Sequence, residues 1–210
     1  MPVLKRLLDV VGATALLAIS SPLLVVSAAA IRLTLGSPVF FRQQRPGLHG
    51  RPFQLIKFRT MRSGSGSDGQ PLPDAQRLTR LGNFLRSTSI DELPELWNVL
   101  RGDMSLVGPR PLLVEYLPKY TSRQAKRHEV RPGITGWAQV CGRQTIPFST
   151  RLELDAWYVE NWSMWLDLKI LAMTVRDVVR RSGVIPGQDI DEVDDLGLMQ
   201  EDHGGDAPPR

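Results

Sequence analysis

The chain has 210 residues, a single cysteine and a formal net charge of +4. This length suits one full domain with a small appendage and is short for two ordinary domains. A single cysteine excludes an intramolecular disulfide framework and a metal site built from several cysteines, so nothing in the sequence requires an oxidising compartment.

The charge is distributed unevenly along the chain. Residues 189–210 carry eight acidic side chains and one arginine, whereas residues 1–188 carry 25 basic and 14 acidic side chains, a net charge of +11. A basic body of this kind suits a partner with phosphate groups, such as an anionic lipid, a nucleotide or a nucleic acid. The acidic end is poor in aromatic residues and is predicted to be disordered.

The first predicted element is an apolar helix. Val10–Ile31 contains no charge and lies between Lys5-Arg6 and Arg32. Its 22 residues match the length of a membrane helix and exceed the core of a signal peptide. Ser20-Ser21-Pro22 interrupts it at a position where proline removes a helical hydrogen bond, and basic residues flank both ends. These features favour a bent helix that re-enters the same face over a simple span, although spanning helices also tolerate proline.

A β-hairpin is predicted next, with strands over residues 38–45 and 52–61 and a turn between them. The hairpin carries Arg42, Arg45, Lys57 and Arg59. Basic residues on a strand usually form only a solvated face, so on their own they say little about function. Residues 63–74 are rich in glycine, serine and proline and predict a mobile loop, which could act as a lid over a neighbouring site.

A carboxylate pair follows a predicted helix over residues 78–86. A second helix is predicted to begin between Ser89 and Asp91. Ser89-Ile90-Asp91-Glu92 matches the Ser-x-x-Glu capping box that opens a helix, and it equally offers two adjacent carboxylates for chemistry. If Asp91 is the capping residue, free backbone amides would keep its carboxylate ionised at neutral pH. The local sequence leaves both interpretations open.

Gly108-Pro109-Arg110-Pro111 places an arginine between two prolines, which restricts the backbone on both sides of it. Such an arginine suits bidentate contact with phosphate, and an exposed turn is the alternative. Residues 131–140 predict a glycine turn that leads into a short strand.

The last predicted elements are two helices over residues 150–181, broken near residues 161–163, with Ser163 or Asp167 at the start of the second helix. Trp157, Trp162 and Trp165 suit a helix in the lipid headgroup region, and an ordinary amphipathic core helix is the alternative.

The candidate chemistry is phosphoryl transfer. The three histidines lie in unrelated contexts without metal-ligand spacing. The carboxylate pair is accompanied by four basic residues, Lys57, Arg59, Arg86 and Arg110. Cations neutralise phosphate charge, and a carboxylate can attack phosphorus. Mg²⁺ is the expected ion because carboxylates and phosphates are hard oxygen ligands.

The sequence resembles the bacterial sugar transferases, or monotopic phosphoglycosyl transferases, from Lys5 to about Pro186. The matching motifs are KRLLDV, SSP, VFFRQQRPG, FQLIKFRTMR, TRLGNFLRSTSIDELPELWNVLRGDMSLVGPRP, RPGITGWAQV and LELDAWYVENWS. This family moves a phospho-sugar from a UDP-sugar to undecaprenyl phosphate, the first membrane step of bacterial glycan assembly.

The resemblance implies an α+β, mostly helical monotopic membrane protein with a small β-hairpin and interfacial amphipathic helices. It implies a re-entrant helix, broken at Ser21-Pro22, over residues 1–36. A catalytic domain over residues 37–186 would lie on the cytoplasmic face of the bacterial inner membrane, with residues 187–210 as an acidic tail. The implied partners are a UDP-sugar, undecaprenyl phosphate and membrane lipids, without nucleic acid; a homodimer is compatible with it.

The resemblance also implies a role for each site residue. Asp91 attacks the β-phosphate, UMP leaves, and the polyprenyl phosphate then takes the phospho-sugar from Asp91, while Glu92 holds Mg²⁺. The implied phosphate contacts are Lys57, Arg59, Arg86 and Arg110, and the residues that shape the nucleotide or sugar pocket are Gln139, Arg143 and Asp155. Where the family usually has Asn-Gly-Arg, this chain has Cys141-Gly142-Arg143, which bears on the sugar more than on the reaction.

Two other functions remain open from the residues alone. One is a Mg²⁺-dependent membrane phosphodiesterase or nucleotidyl transferase that uses the same carboxylates. The other is a non-catalytic basic membrane adaptor in which the carboxylate pair only caps a helix.

Overall fold

The computed structural model describes residues 2–62, 64, 72–142, 146–180 and 196. Most of the loop predicted over residues 63–74, Arg143, and the acidic tail apart from Leu196 lie outside these residues. The elements are, in chain order, α1 (Val3–Thr34), β1 (Phe40–Pro46), β2 (Pro52–Phe58), α2 (Asp74–Arg77), α3 (Arg80–Ser87), α4 (Glu95–Arg101), β3 (Ser105–Val107), α5 (Ser122–Ala125), β4 (Gly133–Thr135), α6 (Trp137–Gly142), α7 (Phe148–Glu160) and α8 (Met164–Arg180). The prediction of a mostly helical α+β protein with a small β-hairpin is confirmed.

Helix α1 faces the rest of the protein with one stripe of side chains. Its buried residues are Lys5, Asp9, Ala13, Ser27 and Ile31, and the spacing of four residues at each end places them on one helix face. Many other side chains of α1 are apolar and exposed, among them Leu16, Ile19, Leu23, Val25 and Val26. By length and composition α1 could cross a membrane, and only 11% of its most apolar window is buried.

At the predicted break, Ser21-Pro22, α1 continues as a helix. Proline has no amide hydrogen to donate to the carbonyl four residues earlier, which here belongs to Ala18. The hydroxyl of Ser21 donates to that same carbonyl at 2.8 Å. The serine therefore supplies the hydrogen bond that the proline omits, and the helix is not interrupted.

The first turns of α1 are fixed by buried polar contacts. The Lys5 ammonium donates to the Val107 carbonyl at 3.0 Å and forms an ion pair with Asp167 at 2.5 Å. One turn later, the Asp9 carboxylate accepts a hydrogen bond from the Ser105 hydroxyl at 2.9 Å. Ser105 and Val107 of β3 and the start of α8 are thereby joined to the N-terminal helix.

The far end of α1 packs on the same domain. Ile31 forms a buried apolar cluster with Phe58 of β2 and Leu85 of α3, whereas Ala13 belongs to a second cluster that contains Leu96 of α4. A straight helix of this length would extend about 48 Å. Contacts near both ends show that both ends of α1 rest on the same domain.

The hairpin has the predicted strands and turn. Strands β1 and β2 pair antiparallel, with Phe40 opposite Phe58 and Pro46 opposite Pro52. Lys57 and Arg59, at the end of β2 and just after it, are thus placed next to α3 and the segment that follows α3.

A second pair of strands was not predicted. β3 and β4 are parallel, with Ser105 opposite Gly133. The strand expected over residues 131–140 is limited to Gly133–Thr135, and residues 137–142 form α6. Glycine is needed at this crossing because a Cβ added to Gly133 would lie 2.1 Å from the Gly108 amide nitrogen. This contact fixes the segment that leads into Pro109 and Arg110.

Candidate active site

Asp91 and Glu92 lie in a single 3-10 turn, Ile90–Glu92, between α3 and α4. The predicted capping box is wrong. Ser89 has a left-handed backbone (φ 56°, ψ 18°) and its side chain makes no capping hydrogen bond, whereas an N-cap requires an extended backbone. Helix α4 begins only after Pro94. The pair is therefore held by a tight turn and not by the first turn of a helix.

The Asp91 carboxyl is buried, and no described cation lies within ion-pair distance of it. Only 8% of the residue is exposed, and among the described residues its side chain forms no ion pair or hydrogen bond. Burial, followed by the negative charge of Glu92, raises the pKa of Asp91 to about 6, although Lys57, Arg110 and Arg86 oppose the shift. The carboxylate is thus mainly ionised at neutral pH and takes up a proton as the pH falls through 6.

Glu92, in contrast, is fully engaged by cations. Its carboxylate accepts from Lys57 at 2.8 Å and from both terminal nitrogens of Arg110, one at 3.4 Å. Burial opposes ionisation of Glu92, but the charges of Arg110 and then Lys57 outweigh it and hold its pKa well below the usual range. The same contact raises the pKa of Arg110. The proline-framed arginine therefore lies at the carboxylate pair, as predicted.

Glu95 completes the group and was missed by the sequence analysis. It is 2% exposed and lies 3.1 Å from Lys57, which therefore bridges Glu92 and Glu95. Burial raises the pKa of Glu95 to about 7 despite that cation. Glu95 could have been identified from the sequence, because it is a third carboxylate that follows Asp91 by four residues.

The remaining predicted cations divide into two groups. Arg86 donates through Nε to the Thr60 hydroxyl at 3.0 Å, and its charge acts on Asp91, so it belongs to the site. Arg59 does not contact the pair; its guanidinium donates to the carbonyls of Ser37, at 3.0 Å, and Leu35, in the connection from α1 to β1.

The residues predicted to shape a pocket lie in the second half of the chain. Asp155 is buried and pairs with Arg127 at 2.9 Å, and burial raises its pKa to about 6. Gln139 donates to the Ile134 carbonyl at 2.9 Å. Cys141 is exposed, and Arg143 lies outside the described residues.

The donor set suits Mg²⁺ only together with a phosphate ligand. Across residues 2–62, 64, 72–142, 146–180 and 196, no cluster of three or more His, Cys, Asp or Glu side chains forms a ready metal site. Mg²⁺ is commonly held by one or two carboxylates plus the phosphates of a substrate. Glu92 provides such a carboxylate, and a bound diphosphate would offer Arg110 and Lys57 an alternative anionic partner.

Comparison with known proteins points to the same chemistry. A family model described as "Bacterial sugar transferase" matches residues 1–181. The "Uncharacterized sugar transferase EpsL" of Bacillus subtilis is 58% identical over 182 residues, which cover 87% of this chain and 90% of that protein. The UDP-glucose:undecaprenyl-phosphate glucose-1-phosphate transferase of Caulobacter vibrioides is 48% identical over 183 residues, covering 81% of this chain and 68% of that protein. An Escherichia coli protein of the same name is 43% identical over 182 residues, but these cover only 39% of its length.

Proposed function

Because the chain belongs to the bacterial sugar transferase family, we propose that it transfers a phospho-sugar from a UDP-sugar to undecaprenyl phosphate and releases UMP. The names of the Caulobacter vibrioides and Escherichia coli relatives support this donor and acceptor. A Salmonella typhimurium relative, 39% identical over 197 residues, is named undecaprenyl-phosphate galactose phosphotransferase. Since the named sugar differs among relatives, we assign the reaction and leave the sugar open.

The observation that carries this proposal is that the two adjacent carboxylates have different contacts. Glu92 is paired with Lys57 and Arg110, whereas Asp91 is buried without a cationic contact among the described residues. A nucleophile must keep its lone pairs available for attack, and cations beside it must be able to hold the phosphate. This arrangement supports Asp91 as the nucleophile and Glu92 as the group that organises the charges around it.

In the proposed reaction, a carboxylate oxygen of Asp91 attacks the β-phosphorus of the UDP-sugar. The bond from that phosphorus to the bridging oxygen breaks, UMP leaves with the bond's electron pair, and the phospho-sugar remains on Asp91. A phosphate oxygen of undecaprenyl phosphate then attacks the same phosphorus, and the Asp91 carboxylate is regenerated. Lys57, Arg86 and Arg110 hold the charged oxygens during both steps.

We further propose that Mg²⁺ binds with the diphosphate at Glu92, where it would neutralise phosphate charge. Arg110 and Lys57 would then move part of their contact from Glu92 to the phosphates. Arg59, Gln139, Arg143 and Asp155 remain proposed contributors to substrate binding.

We propose that α1 enters one leaflet and returns, so that the domain lies on the cytoplasmic face of the bacterial inner membrane. Two observations support this: α1 contacts the same domain near Lys5 and near Ile31, and many of its other side chains are apolar and exposed. Trp165 of α8 is 76% exposed, which suits an interfacial helix.

The topology can be tested by cysteine labelling in intact cells, after Cys141 has been replaced by serine. Single cysteines placed at residue 2 and after α8 should both react only when the inner membrane is made permeable. Labelling of the two positions from opposite faces would exclude re-entry.

Trapping tests the reaction itself. Purified protein supplied with a UDP-sugar and Mg²⁺, but no lipid acceptor, should release one equivalent of UMP and gain the mass of one phospho-sugar on a peptide that contains Asp91. Multiple turnovers of UMP without an adduct would indicate a phosphodiesterase, and no UMP release with any UDP-sugar would favour a non-catalytic adaptor.

A further inference from the structure

A second buried ion pair lies behind the carboxylate site. Arg127 is 3% exposed and Asp155 is 4% exposed, and a nitrogen of Arg127 lies 2.9 Å from an Asp155 oxygen. Arg127 follows α5 in the 3-10 turn Lys126–Glu129, whereas Asp155 belongs to α7. The pair therefore joins two elements that are distant in sequence from the 3-10 turn of Asp91.

The guanidinium of Arg127 has a second partner, which connects it to the site. Its Nη2 donates to the backbone carbonyl of Arg110 at 2.5 Å. Its Nη1 donates to the Tyr120 hydroxyl at 3.1 Å, and its central carbon lies 5.7 Å from the centre of the Tyr120 ring. Asp155, Tyr120 and the Arg110 carbonyl thus hold one planar cation in a single orientation.

Stability is an insufficient reason for this pair. Removing two charges from water costs several kcal/mol per ion, and well-packed apolar side chains can replace a buried pair without loss of stability. What apolar side chains cannot provide is a charged, directional donor to a particular carbonyl. The carbonyl that accepts this hydrogen bond belongs to Arg110, whose side chain forms an ion pair with Glu92.

The backbone of Arg110 is restricted by its neighbour and fixed further by Arg127. A residue that precedes a proline is restricted to extended conformations, so Pro111 already limits Arg110. Within that range φ and ψ can still vary by tens of degrees, and a hydrogen bond to the Arg110 carbonyl fixes the orientation of the peptide group next to the Cα that carries the side chain. A donor held by Asp155 selects one carbonyl direction.

We infer that Arg127, held by Asp155, is a positioning residue for Arg110 and fixes the approach of its guanidinium to the phosphate site. Asp155 then shapes the pocket through Arg127 and Arg110. This inference rests on the proposed function, since it requires that Arg110 acts on the phosphate of a UDP-sugar.

A double-mutant cycle tests the inference with the full-length protein in detergent or nanodiscs. The variants are Arg127→Lys, Arg110→Lys and the double variant, and kcat/KM is measured by UMP release with lipid acceptor present. Arg127→Lys keeps the charge beside Asp155 but loses the planar fork, and it should lower kcat/KM about tenfold to a hundredfold, as expected for a misplaced binding group. In the Arg110→Lys background the same change should lower kcat/KM less than about twofold. A twofold change is the usual deviation from additivity between independent sites.

Arg123→Lys is the matched control. Arg123 also joins α5 to α7, through Glu153 at 2.7 Å and Glu160 at 3.1 Å, but it is exposed and does not contact Arg110. It should change kcat/KM less than about twofold in either background. Equal losses from Arg127→Lys in both backgrounds, or no loss in the wild-type background, would overturn the inference.

A melting curve for each variant separates positioning from unfolding. If Arg127→Lys does not fold, Tyr120→Phe replaces it in the cycle, because it removes one partner of the guanidinium and keeps the ion pair. Tyr120→Phe should lower kcat/KM less than Arg127→Lys does, and this loss should disappear in the Arg110→Lys background. An equal loss of kcat/KM in both backgrounds would overturn the inference. Wild-type protein that releases no UMP would overturn the proposed function, whereas active wild-type protein with additive losses would overturn only the positioning role.

Discussion

Two buried aspartates in this protein have opposite surroundings. Asp167, beneath the first turn of α1, accepts from Lys5 at 2.5 Å, from the Tyr158 hydroxyl at 2.6 Å and from the Trp162 indole at 3.1 Å. Asp91 is nearly as buried, at 8% exposure against 5%, but its side chain has no such partner among the described residues. A buried carboxylate with its hydrogen bonds satisfied stabilises a structure, whereas one left without partners is available for chemistry.

Replacing the two aspartates separately should separate activity from stability, and Asp91→Asn should have the largest effect. We expect it to lower kcat at least about a thousandfold and to abolish the phospho-sugar adduct, because an amide is a poor nucleophile. The melting temperature should not fall, since the change removes a buried charge without a partner. Full activity in folded Asp91→Asn would exclude Asp91 as the nucleophile.

The opposite result is expected for the Lys5–Asp167 pair. Asp167→Asn or Lys5→Met leaves a buried charge without its partner and should lower the free energy of unfolding by about 3–5 kcal/mol. Denaturation of the detergent-solubilised protein measures this loss. Arg123→Ala, which removes two exposed ion pairs, is the control and should leave the unfolding transition in place.

The pH dependence of activity tests the environment of Asp91. Because its pKa is raised to about 6 and only the ionised form can attack, kcat/KM should be constant above pH 6 and fall about tenfold per pH unit below it. Glu95, with a pKa raised to about 7, is the other candidate for this limb. If Asp91 causes the loss of activity at low pH, the kcat/KM profile of Glu95→Gln should keep its midpoint near pH 6. If that variant no longer loses activity at low pH, the titrating group is Glu95.

The smallest expected effect concerns a single donor to Asp167. Trp162→Phe removes the indole hydrogen bond and keeps most of the apolar contact, so it should cost about 1 kcal/mol of stability. The specific activity of the folded protein should be unchanged. A loss of activity without a loss of stability would show that the anchor beneath α1 also affects the reaction.

The features that can be predicted from the sequence are those that local patterns determine. The hairpin, the helices that flank residues 161–163, and the importance of Asp91, Glu92 and Arg110 follow from turn residues, apolar spacing and the family motifs. Ser163 was one of two candidates for the start of α8, and its hydroxyl accepts from the Leu166 amide at 3.2 Å.

What the sequence could not provide were contacts between distant segments. Asp167 has the spacing of a helix start, yet its partner Lys5 is 162 residues away. Arg127 sits in a basic, polar stretch without a motif, and only the fold shows that it reaches the Arg110 carbonyl. Glycine at residues 108 and 133 marks a close approach only once β3 and β4 are seen to be adjacent.

The anchor beneath α1 also constrains the order of events during synthesis. Lys5 leaves the ribosome well before its partners, because Tyr158 and Asp167 follow it by 153 and 162 residues. At bacterial elongation rates of about 5–20 residues per second, roughly ten to thirty seconds separate the two ends of the ion pair. During that interval the ammonium group of Lys5 has to remain hydrated, because its carboxylate partner does not yet exist. The charged end of α1 can therefore be buried only when α8 has been made.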